Sequence, residues 1–181
     1  MSVDAAFHSA NVQPVHELTE RGEATSMPFE DVYTRYLDDI FRYALVLTRD
    51  RDEAEEVAAE TFARALRAWR KGGEPAGLAL PWLLAITRNV STDRWRRAKR
   101  VLARPAEVSM PPDVASVESL MWLEAVSSIL PARQREVIAL RYHRDLSDAD
   151  IGNVMGLSQS GVRSLVARAI ETLRKHPEVW R

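Results

Sequence analysis

The segment ITRNVSTDRWRRAKR, residues 86–100, combines basic, aromatic and small polar side chains in a pattern that suits nucleic acid. Six basic residues occupy its fifteen positions, although the formal net charge of the 181-residue chain is only −1. Arg88, Thr92 and Trp95 follow one another by three or four residues, so a helix would place them on one face. Arginines neutralise phosphates, and an exposed tryptophan stacks on unpaired bases. The alternative is a basic helix face that contacts only water. The candidate nucleic-acid residues of this segment are Arg88, Asn89, Thr92, Trp95, Arg96 and Arg97.

A second candidate lies near the C-terminus, where two short helical segments are separated by a glycine-containing turn. The strings DADIGNVM, GL and SQSGVRSLVARAIETLRK have the dimensions of a helix-turn-helix. The second helix would turn a small, polar and cationic face outward, and such a face fits the major groove of DNA. An ordinary helical hairpin with a solvated face is the alternative. The candidate groove residues are Ser160, Arg163, Ser164, Ala167 and Arg168.

The elements that position these residues are all predicted to be helices. Apolar residues recur every three or four positions over residues 29–47 and again over residues 54–69. Asp50 is placed to cap the second of these helices, and the Gly72-Gly73 pair is placed to stop it. No stretch shows convincing strand alternation. We therefore expect an all-α protein.

The predicted helix-turn-helix has its own start and stop signals. Ser147 and Ser158 are good N-caps for its two helices, and Gly156 can supply a left-handed C-cap between them. The second helix carries an apolar stripe that would face the core. That stripe consists of Val162, Val166, Ala169 and Leu173.

Composition and charge indicate two small domains rather than one. Residues 101–117 contain three prolines and no helical period, which is typical of a linker. Residues 1–61 carry a net charge of −9, whereas residues 62–105 carry +9. Such segregation suggests one surface for a polyanion and another for a basic partner.

The sequence offers little for catalysis, cofactors or export. There is no cysteine, so disulfides and thiolate metal sites are excluded, and the reducing cytoplasm is the expected compartment. The four histidines stand apart, and we expect no metal and no other cofactor. Glu55, Glu56 and Glu60 share a helix face without the partners that acid–base catalysis needs, so this face is interpreted as solvated or as a docking surface. No apolar run is long enough to cross a bilayer, and we expect no membrane insertion.

The order of these features closely resembles that of bacterial sigma factors of the extracytoplasmic-function (ECF) group. The resemblance covers about residues 28–175. Two signatures carry it: W-L-x-x-I-x-x-N-x-x-x-D from Trp82 to Asp93, and L-P-x-x-x-R-E-V-I-x-L-R-Y from Leu130 to Tyr142. It implies two small helical domains without enzymatic activity of their own. Their expected bounds are 1–27 for an N-terminal extension, 28–100 for a sigma region 2-like domain, 101–117 for the linker and 118–176 for a sigma region 4-like domain.

The resemblance also implies partners. Glu56, Glu60 and Arg64 would dock on the clamp of the largest subunit of core RNA polymerase, and the second domain would meet the flap of the second-largest subunit. The helix from Trp82 to Arg97 would hold the unpaired minus-ten strand of promoter DNA, with Asn89 lining a base pocket. The helix-turn-helix would read the minus-thirty-five element. An anti-sigma factor is a further expected partner.

The chain departs from the family pattern at several positions. Ala59 replaces the usual glutamine, and Glu56 replaces the usual aspartate, on the docking helix. Leu165 and Ile170 stand where the family has arginine, so two DNA-facing cations are expected to be missing.

Three functions are compatible with these patterns. The first is an alternative sigma factor that binds core polymerase and opens a dedicated promoter. The second is a stand-alone helix-turn-helix regulator, which would leave residues 28–100 without a role. The third is a sigma-like chain kept only for binding an inhibitor. Dependence of DNA binding on core polymerase separates the first from the second.

Overall fold

The computed structural model describes residues 28–73, 75, 79–101, 128–144 and 146–177. These ranges contain no strand, so the all-α prediction is confirmed for them. The predicted N-terminal extension, the linker and most of the helix expected before Leu130 lie outside the described residues. The helices whose bounds fall within these ranges are α1 (Phe29–Thr48), α2 (Arg51–Trp69), α3 (Ala79–Val101), α4 (Ala132–Arg144), α5 (Asp148–Met155) and α6 (Gln159–Arg174). We refer to α1–α3 as the N-terminal helices and to α4–α6 as the C-terminal helices.

A two-residue connection joins α1 to α2. Arg49 adopts the left-handed conformation (φ 60°), which lets its N–H reach the Leu45 carbonyl at the end of α1. Asp50 then caps α2, because its Oδ1 accepts a hydrogen bond of 2.8 Å from the Glu53 N–H. An N-cap of this kind contributes about 0.5–2 kcal/mol. The predicted cap at Asp50 is confirmed.

The glycine pair lies just beyond the end of α2 rather than at it. The helix ends at Trp69, and Gly72 follows with a positive φ of 75°. The Gly73 N–H bonds to the Ala68 carbonyl at 2.9 Å, and a Cβ on Gly73 would lie 2.9 Å from that same oxygen. The pair therefore folds the chain back over the last turn of the helix, which a larger residue at position 73 would prevent.

The N-terminal helices pack around an apolar core. Ile40 of α1, Phe62 of α2, and Leu83 and Leu84 of α3 are all buried. Burying a side chain of this size contributes about 1.5–3 kcal/mol. In α3 the buried positions continue to Val90, and this stripe determines which residues of the helix can face outward.

The helix-turn-helix forms as predicted from α5 and α6. The Ser147 side chain accepts from the Asp150 N–H, and the Ser158 side chain accepts from the Gly161 N–H. Gly156 between the two helices has a φ of 65° in the left-handed region. All three cap predictions are confirmed. The predicted stripe of α6 is buried, and it consists of Val162, Val166, Ala169 and Leu173.

Gly156→Ala is expected to destabilise the protein by about 1 kcal/mol, because an L-residue is sterically strained in the left-handed region. A Cβ at this position would meet no atom within 4 Å, so backbone strain is the main effect. Urea unfolding of the full-length protein measures it. Gly161→Ala is the matched control, since its Cβ would meet the flexible Ser158 side chain at 3.3 Å and its φ is not positive. An equal loss in both variants would contradict the role of the left-handed cap.

The N-terminal and C-terminal helices pack against each other. α1 contacts α4, and α3 contacts α5. One apolar cluster runs through both groups, from Val32 and Tyr43 in α1 to Val137 and Ile138 in α4. Surfaces that face this shared core are withdrawn from solvent.

Candidate functional site

The C-terminal half of α3 presents an aromatic ring among cations. Trp95 is 60% exposed, and Arg96 and Arg97 beside it are exposed as well. Asn89, nearer the start of the helix, is also exposed. The predicted exposure of Trp95 is confirmed. A ring in this setting can stack on a base while the guanidinium groups contact phosphates.

Arg88 and Thr92 lie in a different environment. The Nε of Arg88 donates to Oε1 of Glu136 at 2.7 Å, and the Arg88 side chain is 26% exposed. The Thr92 hydroxyl donates to the Arg88 carbonyl at 2.8 Å, within the helix. Both residues are partly buried. The structure therefore leaves four of the six candidate residues in this segment exposed and covers the other two in part.

Another pair of charged residues in α3 turns toward α2. Arg94 forms ion pairs with Glu56 and, at 3.9 Å, with Glu60. Arg64 pairs with Glu60 at 2.5 Å and with Asp93 at 3.1 Å. The hydrogen bond that Arg64 donates to Glu60 is the main cause that raises the pKa of Arg64. We call these five residues the α2–α3 ion network; it brings together the three candidate docking residues.

The network is open to solvent on the Glu56 side. The Glu56 side chain is 62% exposed, whereas those of Glu60 and Arg64 are 26% and 28% exposed. Ion pairs at such exposure contribute about 0–1 kcal/mol to stability. Glu56 is therefore accessible to a partner, and its ion pair adds little to the stability of the fold.

An apolar groove runs along the other edge of α2. It has a volume of about 250 Å³ and lies between α1 and α2, with Ala59 in its wall. Tyr33 and Leu37 of α1 line it and are 42% and 37% exposed. Exposed apolar surface beside charged groups is typical of protein interfaces.

The predicted groove-binding face of α6 points to solvent. Its five residues, Ser160, Arg163, Ser164, Ala167 and Arg168, are all exposed. Asp148 at the start of α5 accepts from Arg163 at 3.3 Å and also pairs with Arg141 of α4. Asp148 of α5 thereby links α6 to α4. The Arg163 side chain remains 61% exposed and accessible to a partner.

Leu165 and Ile170 flank the buried stripe of α6, one on each side of it. Leu165 is 9% exposed, and Ile170 is partly buried against the same core. The expectation of a DNA-facing position is wrong for Leu165, which is buried, whereas Ile170 is only partly buried and lies beside the outward face, seven residues after Arg163. Arg163 and Arg168 keep the outward face cationic.

The sequence did not predict the polar contacts that join the two groups of helices. Oε1 of Glu136 accepts from the Tyr43 hydroxyl at 2.9 Å as well as from Arg88. The neighbouring Arg135 donates from Nε to the Val46 carbonyl at 3.1 Å. Arg135 and Glu136 are both buried. In the sequence these two residues directly precede the apolar Val137 and Ile138, which favours burial of the segment. The sequence does not indicate which residues they contact.

Burial also alters the titration of this polar cluster. It is the largest cause that raises the pKa of Tyr43 well above its usual value, and the adjacent Glu136 carboxylate raises that pKa further. Burial likewise lowers the pKa of Arg135. Tyr43 is therefore a neutral hydrogen-bond donor at physiological pH.

The described ranges hold neither a metal-binding cluster nor a membrane-spanning helix. No group of three histidine, aspartate or glutamate side chains there is arranged to hold a metal ion. No helix there combines the length and the apolar character needed to cross a bilayer.

Two family models match this chain, one on each group of helices. The model described as Sigma-70 region 2 matches residues 32–101. The model described as Sigma-70, region 4 matches residues 128–175. The first match includes the α2–α3 ion network and Trp95, and the second includes the outward face of α6.

Two similar proteins are named as ECF RNA polymerase sigma factors. SigL of Mycobacterium tuberculosis is 33% identical over 154 residues, which are 79% of this chain and 85% of SigL. BldN of Streptomyces coelicolor is 31% identical over 180 residues, which are 92% of this chain and 66% of BldN. The alignment thus spans 85% of the length of SigL but slightly less than two thirds of the length of BldN.

A solved structure shares the fold. It is the sigma factor RpoE in complex with the anti-sigma factor NepR from Bartonella quintana. The TM-score is 0.71 at 23% identity, and the alignment covers 84% of this chain and 98% of that one.

Proposed function

This chain belongs to the ECF RNA polymerase sigma factors, and on that premise we propose that it binds core polymerase, recognises both promoter elements and opens the DNA for initiation. Sigma factors are initiation factors and not enzymes, so the polymerase supplies the chemistry. The observation that carries the proposal is the exposure of Trp95 among arginines on α3, separate from the acidic network on α2.

The exposed end of α3 is the proposed contact for the unpaired minus-ten strand. Trp95 stacks on a base, which contributes about 1–3 kcal/mol per base in proteins of this kind. Arg96 and Arg97 contact the phosphates on either side. The Asn89 amide has both donors and an acceptor, so it can pair with the edge of a base that has left the duplex. Arg88 extends this surface once it is released from Glu136.

The outward face of α6 is the proposed reader of the minus-thirty-five element. Ser160, Ser164 and Ala167 are small and permit close approach of the helix to the groove floor. Arg163 and Arg168 supply cations for base edges or phosphates. The N-caps at Ser147 and Ser158 fix the residues at which the two helices of the motif begin.

The α2–α3 ion network is the proposed docking site for the clamp of the largest polymerase subunit. Glu56 provides an accessible acid, and the groove lined by Tyr33 and Leu37 provides apolar area nearby. Glu60 and Arg64 hold the network in place. The C-terminal helices would meet the flap of the second-largest subunit, so that the polymerase sets the distance between the two DNA-binding surfaces.

An anti-sigma factor is a further proposed partner. The RpoE of Bartonella quintana, whose fold this chain shares, was solved with the anti-sigma factor NepR. We place this activity in the cytoplasm, because polymerase and promoter DNA are there. A protein that covers both α2 and α3 would block polymerase and DNA together.

Abortive transcription with purified core polymerase tests the proposal. Promoter fragments from the host are incubated with core enzyme, with and without this protein. Short RNA products that form only when both proteins are present are the expected result. Binding to DNA in the absence of polymerase, combined with no binding to core enzyme, would replace the proposal with a stand-alone regulator.

Arg163→Ala is expected to weaken holoenzyme binding at the minus-thirty-five element by about 1–3 kcal/mol if Arg163 reads a base edge. The loss would then differ between matched and mismatched elements, whereas a phosphate contact would be lost equally on both. Competition binding on the two fragments measures the difference. Arg174→Ala is the matched control, because Arg174 is an exposed arginine in the last turn of α6, beyond the C-terminal end of the proposed face. Unchanged binding of Arg163→Ala to every fragment would remove Arg163 from the interface.

A further inference from the structure

The two arginines on the outward face of α6 are held in different ways. Arg168 folds back on its own helix, where its Nε donates to the Ser164 carbonyl at 3.2 Å. Arg163 instead reaches across to α5, where its Nη1 donates to Oδ2 of Asp148 at 3.3 Å. Arg163 is the fifth residue of α6, and in helix-turn-helix proteins the N-terminal residues of the second helix contact base edges. Asp148 therefore contacts the arginine that is better placed to read a base.

Asp148 is itself anchored from the other side. Its Oδ1 accepts from Nη2 of Arg141 in α4, so the two carboxylate oxygens bridge two arginines. Nη1 of Arg141 also donates to the Leu146 carbonyl at 3.4 Å, just before α5 begins. The Asp148 side chain is 19% exposed, whereas that of Arg163 is 61% exposed. An anchored carboxylate thus holds one end of a guanidinium that projects into solvent.

The contact with Asp148 leaves Arg163 with donors for a base. A guanidinium carries five N–H groups in a planar fork, and the bond to Asp148 uses only Nη1. The edge formed by Nε and Nη2 presents two donors side by side. Such an edge matches the O6 and N7 acceptors of guanine in the major groove. Because a held side chain has less freedom to lose on binding, the contact favours one orientation of Arg163 on its base.

The charge of Asp148 also selects between two kinds of acceptor. O6 and N7 of guanine carry no net charge, whereas a phosphate is an anion. A phosphate on the Arg163 guanidinium would lie close to the Asp148 carboxylate, and like charges at short range repel each other. Because Asp148 is largely buried, salt screens that repulsion only in part. Asp148 thus favours a base edge over the DNA backbone as the partner of Arg163.

We propose that Asp148 is a positioning residue that directs Arg163 to a guanine of the minus-thirty-five element and away from phosphates. The proposal rests on the proposed function of α6 as the reader of that element. Arg141 supports the arrangement from α4 by anchoring the carboxylate. Removing the charge of Asp148 therefore lowers discrimination between bases and raises affinity for DNA of unrelated sequence. Damage to the fold of α6 would lower both, which separates positioning from a structural role.

Selection from a duplex library tests the base preference. Holoenzyme formed from core polymerase and the full-length protein binds fragments whose minus-thirty-five element is randomised, and the bound fragments are sequenced. The unaltered protein is expected to select guanine at one position that Arg163→Ala no longer selects. Asp148→Asn keeps the size of the side chain but removes its charge. It is expected to reduce the guanine preference at that position about 3- to 10-fold, the equivalent of releasing one long side chain.

Asp150→Asn is the matched control, because Asp148 and Asp150 are both acids in the first turn of α5. Each substitution removes one charge from the same helix end, so effects on net charge and on the helix dipole are common to both. The Asp150 carboxylate accepts from the Ser147 hydroxyl rather than from Arg163. Asp150→Asn is therefore expected to keep the guanine preference.

Binding of the same holoenzymes to a fragment without promoter elements measures contacts with the DNA backbone. Asp148→Asn leaves Arg163 able to contact a phosphate, so this variant is expected to bind the fragment more tightly at low salt. The slope of log affinity against log salt concentration should steepen by about 0.9, the value of one phosphate contact. Combining Asp148→Asn with Arg163→Ala is expected to remove both effects, since the carboxylate acts through Arg163.

Circular dichroism checks folding, and should Asp148→Asn not fold, Asp148→Ser removes the same charge and decides by the same criteria. The positioning role is overturned, while the proposed function stands, if Arg163→Ala loses the guanine preference but Asp148→Asn keeps it. It is also overturned if Asp150→Asn loses the preference equally, or if Asp148→Asn weakens binding to both kinds of fragment. If the holoenzyme selects no element at all, the proposed function of α6 fails and the positioning role fails with it.

Discussion

Trp95→Ala is expected to reduce promoter opening about 5- to 150-fold, the equivalent of losing one base-stacking contact of about 1–3 kcal/mol. Affinity for core polymerase should stay unchanged, since Trp95 lies outside the α2–α3 ion network. Trp95 is 60% exposed, so its removal leaves no large cavity in the core. A fluorescent base analogue in the minus-ten element measures opening, and anisotropy of the labelled protein measures polymerase binding.

Trp95→Phe is the control for this variant, because phenylalanine retains an aromatic face and should keep most of the opening activity. Asn89→Ala should show the same separation of opening from polymerase binding if its amide contacts an unpaired base. An equal fall of both activities in Trp95→Ala would contradict the assignment of separate surfaces. Normal opening by Trp95→Ala would exclude it as a stacking residue.

The helices and their ends were predictable because their determinants are close together in the sequence. Asp50, Ser147 and Ser158 each accept a hydrogen bond from a backbone N–H three residues later. The outward face of α6 was predictable for a related reason: its apolar stripe is continuous, so the 3.6-residue period separates inside from outside. The same period shows that Leu165 adjoins the stripe, although family resemblance suggested a DNA-facing position.

The division of the basic residues in α3 was harder to predict. Arg94 follows the buried Val90 by four residues and the buried Thr87 by seven, so its spacing alone directs it toward the core side and α2. The sequence analysis did not separate Arg94 from the neighbouring cations, although this spacing distinguishes it from them. Arg88 is different, because its partner Glu136 lies 48 residues away in the sequence. No local pattern encodes a contact at that separation, and the ion pair became visible only in three dimensions.

Glu56→Lys is expected to weaken binding to core polymerase about 10- to 100-fold, because placing like charges against each other in an interface costs several kcal/mol and partial exposure reduces that cost. The Glu56 side chain is 62% exposed and is the most accessible acid of the α2–α3 ion network. The fold should be retained, since the ion pair with Arg94 is a surface contact of small energy. Anisotropy titration of labelled protein with core polymerase, at low and high salt, measures the loss.

Glu60 requires a gentler substitution. It accepts from Arg64 at 2.5 and 3.0 Å and lies 3.9 Å from Arg94, so a lysine there would bring three cations together. Folding and docking would then change at once. Glu60→Gln keeps an acceptor for Arg64 while removing the charge. Its expected effect on polymerase binding is smaller than that of Glu56→Lys, because Glu60 acts mainly by holding the network in place.

Glu30→Lys is the control for Glu56→Lys. Glu30 is an exposed acid in the first turn of α1, and the substitution changes the net charge of the protein by the same amount. Any effect of overall charge is therefore common to both variants, and the difference between them belongs to the docking site. That difference should shrink at high salt, because exposed charges are screened over about 10 Å at 0.1 M ionic strength. If Glu30→Lys weakens binding as strongly, overall charge and not α2 attracts the polymerase. If Glu56→Lys binds as well as the unaltered protein, the acidic face of α2 is not the docking site.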